Sequence, residues 1–382
     1  MQNGLLKRMK TLPPVKKYRI RRALKHIAFK YFLKSKEVEE AEKDNNKKIQ
    51  ILKKQAKKWP KKNRELLLII DNIIKENPTF IHLREDMLFC FYAYGFTPQE
   101  YACYQFHKKS VKERKSFASD RLSVMYGYRF NDPDYFHIFM NKSETYEILK
   151  YYYQRDGIVI SSRKDYGKFI DFVNKHSVFV KKDNDESCGR GVELINISRL
   201  KISVKDLFEK YVSSGVKFLE EVVIQGAEMN ALNPSSVNTV RCFTLGMEDE
   251  TIVPYCFLKV GRNGSFVDNG GAGGILVGID AATGQLNSDG VDENGLWYEY
   301  HPDTNVKFYG YQLPEWEKMI SICIHAAQVV PQIRLTGWDT AYTNNGWVII
   351  EGNCLSELIG PQSTQARGIK KELDDLLKKM DR

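Results

Sequence analysis

Three side chains near the C-terminus, Asp339, Glu351 and Asn353, have the types and spacing of ligands for a divalent cation. Residues two apart on a strand share a face, so Glu351 and Asn353 point the same way. The Asn-Gly turn within Tyr342–Trp347 predicts a hairpin that returns Asp339 to the side of Glu351. Oxygen ligands without clustered His or Cys favour Mg²⁺ bound together with nucleotide phosphate. The alternative is a hairpin whose acids face solvent.

A lysine pair followed by a polar loop is a candidate phosphate site. Lys181 and Lys182 end a predicted strand, and the loop beyond them contains Gly189 and Gly191. A strand-end lysine beside a flexible glycine-containing loop can cover a triphosphate with positive charge and free backbone N–H groups. The loop has neither the Walker A nor the Rossmann glycine pattern. The alternative is a surface hairpin that carries lysines.

The segment from Glu220 to Glu228 has the groups that a nucleoside requires. Glu220 and Glu221 belong to a predicted strand, and Glu228 lies seven positions beyond Glu221. The backbone of Val222 and Ile224 can pair with adenine, while Glu228 can accept hydrogen bonds from ribose hydroxyls. The alternative is an edge strand with exposed acids.

Two arginines precede the candidate metal hairpin. Arg241 lies in a predicted strand, and Arg262 lies between another strand and the glycine-rich run 270–274. Guanidinium groups there would stabilise negative charge on a phosphoryl group or an acyl-phosphate. The glycine run permits close backbone approach to a ligand, and a plain flexible loop is the alternative.

The hydrophobic patterns predict a mixed scaffold for these residues. Residues 65–140 have helical spacing, whereas the pattern alternates between helix and strand from 141 and is dominated by strands from 237. The predicted helices after 140 span 144–154, 203–213, 314–330 and 363–380. The predicted strands span 158–160, 177–180, 192–197, 217–224, 237–245, 251–260, 265–268 and 274–279, with a turn-rich stretch at 283–295 and the metal hairpin after 330.

The length of 382 residues favours two or three domains. Charge is distributed unevenly along them. Residues 1–64 carry 22 lysines and arginines against 5 acids, whereas the whole chain carries only +10, so residues 65–382 are net negative. Ile20, Leu24 and Ile27 recur at helical spacing among these basic residues. Such a helix could lie on anionic membrane or pack on its own protein. Nucleic acid is a weaker interpretation, because charge alone supports it.

Cysteine spacing and hydropathy indicate the compartment. The seven cysteines form no CxxC pair, which favours reduced thiols in the cytoplasm. We expect no membrane-spanning helix, because no apolar run is long enough. We also expect no secretory signal, since the basic N-terminus has no apolar core. The predicted location is therefore cytoplasmic, peripheral on the inner face of the membrane if residues 1–64 bind lipid.

The order of these motifs resembles the ATP-grasp superfamily. The segments Asn233–Arg241, His301–Thr304, Gly337–Asp339 and Glu351–Asn353 are similar to its sugar-transfer-associated family, across about residues 85–375. The resemblance implies an α+β ATP-grasp fold, in which two α+β subdomains clasp ATP between antiparallel sheets after a helical N-terminal region. The implied domains are a basic helical arm at 1–64, a helical domain at 65–140, and ATP-grasp subdomains at 141–225 and 226–382.

The resemblance also implies roles for individual residues. Those for the nucleotide are Lys142 and Lys181 on the α- and β-phosphates, Ser187, Gly189 and Gly191 in a lid loop, Glu221, Val222 and Ile224 at adenine, and Glu228 on ribose. Those for the reaction are Arg241 and Arg262 on the γ-phosphate and acyl-phosphate, and Asp339, Glu351 and Asn353, with Asn269 assisting, on two Mg²⁺ ions, for which Mn²⁺ is an alternative. The chain departs from the family in a lid with few glycines and in Lys182, where many relatives carry proline. Whether Glu220 or Glu221 faces adenine stays open.

The implied activity is an ATP-dependent carboxylate–amine ligase that forms an acyl-phosphate. Its partners would be a small-molecule carboxylate and an amine or sugar-linked substrate, with a role in polysaccharide biosynthesis. Two alternatives remain, a phosphotransferase of the same fold and a non-catalytic ATP-binding scaffold that its basic arm docks at the membrane.

Overall fold

The N-terminal part of the chain is a bundle of short helices. The structure, a computed structural model, describes residues 31–184, 191–266, 268 and 270–380. Among these the bundle helices are α1 Ser35–Lys43, α2 Asn45–Lys58, α3 Pro60–Glu76, α4 Arg84–Tyr94, α5 Pro98–Cys103, α6 Val111–Arg114, α7 Asp120–Phe130 and α8 Phe136–Met140.

Helices α1 to α5 share a hydrophobic core, to which residues on both sides of position 64 contribute. Val38 and Leu52 share this core with Leu66 and Met87. Residues 31–64 therefore pack with the helices that follow them. Ile20, Leu24 and Ile27 of the predicted amphipathic helix lie outside the described residues.

A largely buried carboxylate, Asp86 on α4, joins three bundle segments. Its oxygens lie 2.7 Å from Lys48 Nζ, 2.8 Å from an Arg114 guanidinium nitrogen and 2.8 Å from the Tyr101 hydroxyl. Burial alone would raise the pKa of Asp86, but the hydrogen bond and charge of Lys48, with the charge of Arg114, hold it below its usual value. Asp86 is therefore ionised at neutral pH, and it supplies the counter-charge for Lys48 and Arg114.

Asp86→Asn should lower the free energy of unfolding by about 2–3 kcal/mol at pH 7, because Lys48 and Arg114 lose their counter-charge. A depressed carboxyl pKa contributes stability above the unfolded pKa, about 3.9, which is lost as pH falls through the folded pKa. The difference between variant and wild type should therefore shrink in urea unfolding repeated at about pH 3. Asp71→Asn is the control, since Asp71 contacts Arg84 with both side chains half exposed. Equal effects of the two substitutions at pH 7 would contradict this prediction.

The next segment forms a four-stranded antiparallel sheet, which we call the small sheet. Its strands lie in the order β1-β4-β2-β3. The segment comprises α9 Lys142–Tyr153, β1 Gly157–Ile160, α10 Tyr166–Lys175, β2 Val178–Asp183, β3 Val192–Asn196, α11 Val204–Ser213 and β4 Lys217–Glu221. Helix α9 begins at Lys142 because the Asn141 side chain caps it by accepting from the Glu144 N–H at 3.1 Å. Phe179 of β2 packs against Phe169 of α10 and Phe208 of α11, which cover one face of the sheet.

A seven-stranded antiparallel sheet, the large sheet, follows with the order β11-β10-β5-β6-β7-β8-β9. The helix Trp316–Val329, α13, packs on the core that contains Trp338 and Leu258. The elements are α12 Ala227–Leu232, β5 Thr239–Gly246, β6 Thr251–Val260, β7 Ile275–Ile279, β8 Leu286–Val291, β9 Trp297–Tyr298, α13 Trp316–Val329, β10 Leu335–Thr343 and β11 Gly346–Asn353. Two helices end the described chain, α14 Ile359–Ser363 and α15 Lys370–Met380.

The predicted α+β class is confirmed, and most predicted elements are present within a few residues. Four details were wrong. The strand predicted at 217–224 ends at Glu221, residues 265, 266 and 268 lie in no strand, the turn-rich stretch contains β8, and the final helix begins at Lys370. Among the described residues, no helix has the length and apolar character needed to cross a membrane.

Candidate active site

The hairpin β10–β11 brings the three predicted metal ligands together. Asp339 lies directly opposite Glu351, and Gly337 lies opposite Asn353. The Asn353 amide nitrogen lies 3.3 Å from Glu351 Oε1. The turn closes through Gly346, whose φ of +100° favours glycine. Two carboxylates and one carboxamide therefore form a compact oxygen-rich group on one face of the large sheet.

Two cations from neighbouring strands bind Asp339. Arg241 of β5 lies opposite Asp339 and donates from Nε at 2.6 Å and from Nη2 at 2.8 Å. Lys259 of β6 places Nζ 3.1 Å from Asp339 Oδ1. Burial would raise the pKa of Asp339, but Arg241 and Lys259 hold it well below its usual range. Arg241 is thus a partner of Asp339, and Lys259 is a residue that the sequence interpretation missed.

The pKa of Glu351 shifts in the opposite direction to that of Asp339. Burial and the neighbouring Asp339 carboxylate raise the pKa of Glu351, while Lys182, Lys259 and Arg241 act against that shift. Two buried carboxylates in contact are destabilised unless positive charge accompanies them. The donor set of Asp339, Glu351 and Asn353 therefore fits a hard divalent cation such as Mg²⁺.

Strand alternation on β2 separates the two candidate lysines. Lys182 forms an ion pair with Glu220 on the face of the small sheet that turns toward Glu351. Lys181 lies on the opposite face with Phe179, and its Nζ lies 3.0 Å from Glu193 Oε1. The structure therefore brings Lys182, rather than Lys181, toward Glu351. The available signal was the apolar Phe179, which shares a face with Lys181 by the two-residue period.

Residues at the base of the predicted lid lie close together. Lys142 Nζ donates to the Asp183 carbonyl oxygen at 3.1 Å, and the Asp183 N–H donates to the Gly191 carbonyl oxygen at 3.0 Å. Gly191 has a φ of +68°, and a Cβ there would collide with Asp183. Ser187 and Gly189 lie outside the described residues. Lys142 and Gly191 therefore both lie beside Asp183, at the end of β2.

The predicted nucleoside segment connects the two sheets. Glu220 faces Lys182, whereas Glu221 accepts from the Asp156 N–H at 3.2 Å on the other face of β4. The side chain of Ile224 is exposed. The following residues return to the β10–β11 hairpin, where the Gly226 N–H donates to the Tyr342 carbonyl oxygen at 2.8 Å.

Val222 and Ile224 lie outside any strand, in a linker that follows β4, so their backbone groups are not part of a β-sheet. Glu228 lies beyond this linker, in the first turn of α12.

Arg262 lies beside the glycine-rich run, as its sequence position predicts. It donates to Asp292 Oδ2 at 2.9 Å and to the Gly273 carbonyl oxygen at 2.6 Å, and it contacts the Tyr298 hydroxyl. These contacts differ from those of Arg241, which binds Asp339 directly. Asn269 lies outside the described residues. Asp292, whose side chain is fully buried, is a further residue that the sequence interpretation missed.

Comparisons with known proteins identify one family. A sequence profile of the sugar-transfer-associated ATP-grasp family matches residues 121–378. A search of curated proteins found no match.

Several solved structures are similar to this chain at low identity. The ATP-grasp ligase PsnB in complex with a minimal precursor is 12% identical, with 68% of each chain covered and a TM-score of 0.41. The D-alanine–D-alanine ligase from Coxiella burnetii is 13% identical, covering 64% of this chain and 57% of its own, with a TM-score of 0.36. D-alanyl-alanine synthetase A from Vibrio cholerae is 12% identical, and the match covers 65% of this chain and 67% of the synthetase chain, with a TM-score of 0.42.

Proposed function

Because this chain belongs to the sugar-transfer-associated ATP-grasp family and is an ATP-grasp enzyme, we propose that it is an ATP- and Mg²⁺-dependent carboxylate–amine ligase. The observation that carries the proposal is the group formed by Asp339, Glu351 and Asn353, which faces Lys182 across the two sheets. Opposed carboxylates and lysine are the charges that a metal-bound triphosphate requires.

We assign metal binding to Asp339, Glu351 and Asn353, with two Mg²⁺ ions and Mn²⁺ as a substitute. Bound there, the metal would neutralise charge on the phosphate oxygens during phosphoryl transfer. Arg241 holds Asp339 ionised and oriented through its two hydrogen bonds. These contacts support a positioning role for Arg241 in addition to the predicted contact with phosphate.

We assign the nucleotide to the space between the sheets. Lys182 joins Lys142 as a candidate phosphate ligand, and the role predicted for Lys181 stays a prediction. The remaining assignments follow the family resemblance: Ser187, Gly189 and Gly191 in the lid, Glu221, Val222 and Ile224 at adenine, Glu228 at ribose, and Arg262 at the γ-phosphate and acyl-phosphate.

The proposed reaction has two balanced steps. A substrate carboxylate oxygen attacks the γ-phosphorus, so that an acyl-phosphate forms and ADP leaves. An amine nitrogen then attacks the acyl carbon, an amide forms, inorganic phosphate leaves and the nitrogen loses a proton. Lys182 and Arg262 are the cations that we propose for the charge on phosphate and acyl-phosphate.

A sugar acid or polysaccharide precursor is the substrate class that we propose, and its support is the description of the family. We keep peripheral binding to anionic membrane as a proposal for residues 1–64, supported by their positive charge. Sedimentation with phosphatidylserine vesicles tests it, since equal binding by full-length protein and by protein lacking residues 1–30 would exclude a role for that segment.

The function is tested by measuring ADP release from ATP and Mg²⁺ with amino acids paired with nucleotide-linked uronic acids. We expect ADP only when both substrates are present, together with a product of amide mass. A phosphorylated acceptor without an amide would identify the phosphotransferase alternative. ATP binding without ADP release across the panel would contradict ligation of these substrates and favour the scaffold alternative.

A further inference from the structure

Arg155 is a buried arginine in the short connection between α9 and β1. Its side chain is 4% exposed, as is that of its partner Glu220 on the small sheet. Arg155 Nε and Nη2 lie 3.0 Å and 2.8 Å from Glu220 Oε2. The guanidinium also lies 4.5 Å from the centroid of the Tyr153 ring. Several contacts therefore hold the guanidinium in one orientation.

The other side of the same guanidinium reaches the large sheet. Nη1 donates to the Ile349 carbonyl oxygen at 2.7 Å, and Nη2 lies 3.3 Å from the Ile350 carbonyl oxygen. Both carbonyls belong to β11, the strand at one edge of the large sheet. Arg155 thus links Glu220 of one sheet to the backbone of the other, and within the described residues no strand of one sheet pairs with a strand of the other.

The two carbonyls lie at an irregularity in β11. Asp339 of β10 pairs with Glu351, and the next residue, Thr340, pairs with Ile349. Ile350 is therefore the extra residue of a β-bulge, a feature that redirects neighbouring side chains. The bulge immediately precedes Glu351, so its geometry determines where the Glu351 carboxylate lies relative to Asp339.

We propose that Arg155 is a positioning residue, which pins the bulge at Ile350 to Glu220 and so sets the Glu351 carboxylate beside Asp339 and toward Lys182. The expected effect on catalysis rests on the proposed function, whereas the hydrogen bonds that hold the bulge are a property of the fold and do not depend on it. The guanidinium suits this task because its planar donors can serve a carboxylate and two carbonyls together.

The charges around Glu220 support the same role. Burial would raise the pKa of Glu220, but Arg155 and Lys182 hold it below its usual value. Glu220 is therefore ionised and shared by two cations. Without Arg155, Lys182 would be the remaining cation in contact with this buried carboxylate, and the Ile349 and Ile350 carbonyls would lose the hydrogen bonds from the guanidinium. Lys182 would then be held more tightly by Glu220 and would be less available to a phosphate.

Arg155→Gln and Arg155→Lys test the inference through two independent readouts. The first is amide hydrogen exchange in a peptide that contains residues 346–353, which reports the bulge without any ligand. The second is the affinity for Mn²⁺ in the presence of ADP, measured by electron paramagnetic resonance. We expect faster exchange in this peptide and Mn²⁺ affinity weaker by about tenfold or more, the usual effect of losing a residue that orients a metal ligand. Arg155→Lys keeps the charge and covers the case in which Arg155→Gln does not fold.

Two control variants separate positioning from general destabilisation. Arg163→Gln removes an exposed pair with Glu209 on the same subdomain and should change neither readout. Asp86→Asn should lower stability but leave Mn²⁺ affinity unchanged. Unchanged exchange at 346–353 in the Arg155 variants, or faster exchange with wild-type Mn²⁺ affinity, would overturn the inference. A wild-type protein that does not bind Mn²⁺ with ADP would instead contradict the proposed function, and exchange would still decide whether Arg155 pins the bulge.

Discussion

Glu351→Ala should reduce Mg²⁺-dependent ADP formation by a factor on the order of 10³ or more. The reason is local charge. Without Glu351, Asp339 remains paired with Arg241 and Lys259, so the group loses the negative charge that a divalent cation requires. Steady-state ADP release at saturating ATP and substrates, with Mg²⁺ varied, measures the effect.

The same variant should retain the fold. Burial and Asp339 raise the pKa of Glu351, so the ionised carboxylate costs the folded protein stability at neutral pH. We therefore expect a melting temperature at least as high as that of the wild type. Glu193→Gln is the control, because Glu193 is an exposed acid whose partner is Lys181. Turnover close to wild type in Glu351→Ala would refute the metal assignment.

Lys182→Met should lower kcat/KM for ATP by a factor on the order of 10², whereas Lys181→Met should change it only slightly. Lys182 forms an ion pair with Glu220 and lies on the face of β2 that is directed toward Glu351. Lys181 lies on the helix-covered face, where Asp183 and Glu193 bind its amine. Because the two lysines are adjacent and of one type, each variant is the control for the other.

The readouts of this pair are ATP kinetics and thermal stability. Lys181→Met should cost about 1 kcal/mol of stability, because Glu193, one of its two acidic partners, is half exposed. A larger kinetic loss in Lys181→Met than in Lys182→Met would restore the interpretation of the sequence, in which Lys181 is the phosphate ligand.

Features that depend on nearby residues could be predicted from the amino-acid sequence alone. An Asn-Gly turn between two alternating runs was enough to predict the β10–β11 hairpin and the pairing of Asp339 with Glu351. The hydrophobic patterns at 144–154 and 158–160 were likewise enough to predict α9 and β1 within a few residues. These predictions succeed because turn geometry and side-chain periodicity act over a few residues. The strand β8 was missed, since its Asn-Ser-Asp-Gly composition is typical of turns and strand pairing overrides it.

Which charged groups meet between the sheets depends on the packing of segments that are distant in the sequence. Arg241 lies 98 residues from Asp339, and Arg155 lies 194 residues from Ile349, so no spacing rule connects them. Which of Lys181 and Lys182 lies on the helix-covered face of β2 depends on how the helices pack, and the bulge at Ile350 depends on its partner strand. Burial raises the pKa of both carboxyl groups, so their charged neighbours decide the direction of each shift: Arg241 and Lys259 lower the pKa of Asp339, whereas Asp339 itself raises that of Glu351 further. The types of the charged residues can be read from the sequence, but their partners and their dielectric surroundings arise from packing between distant segments.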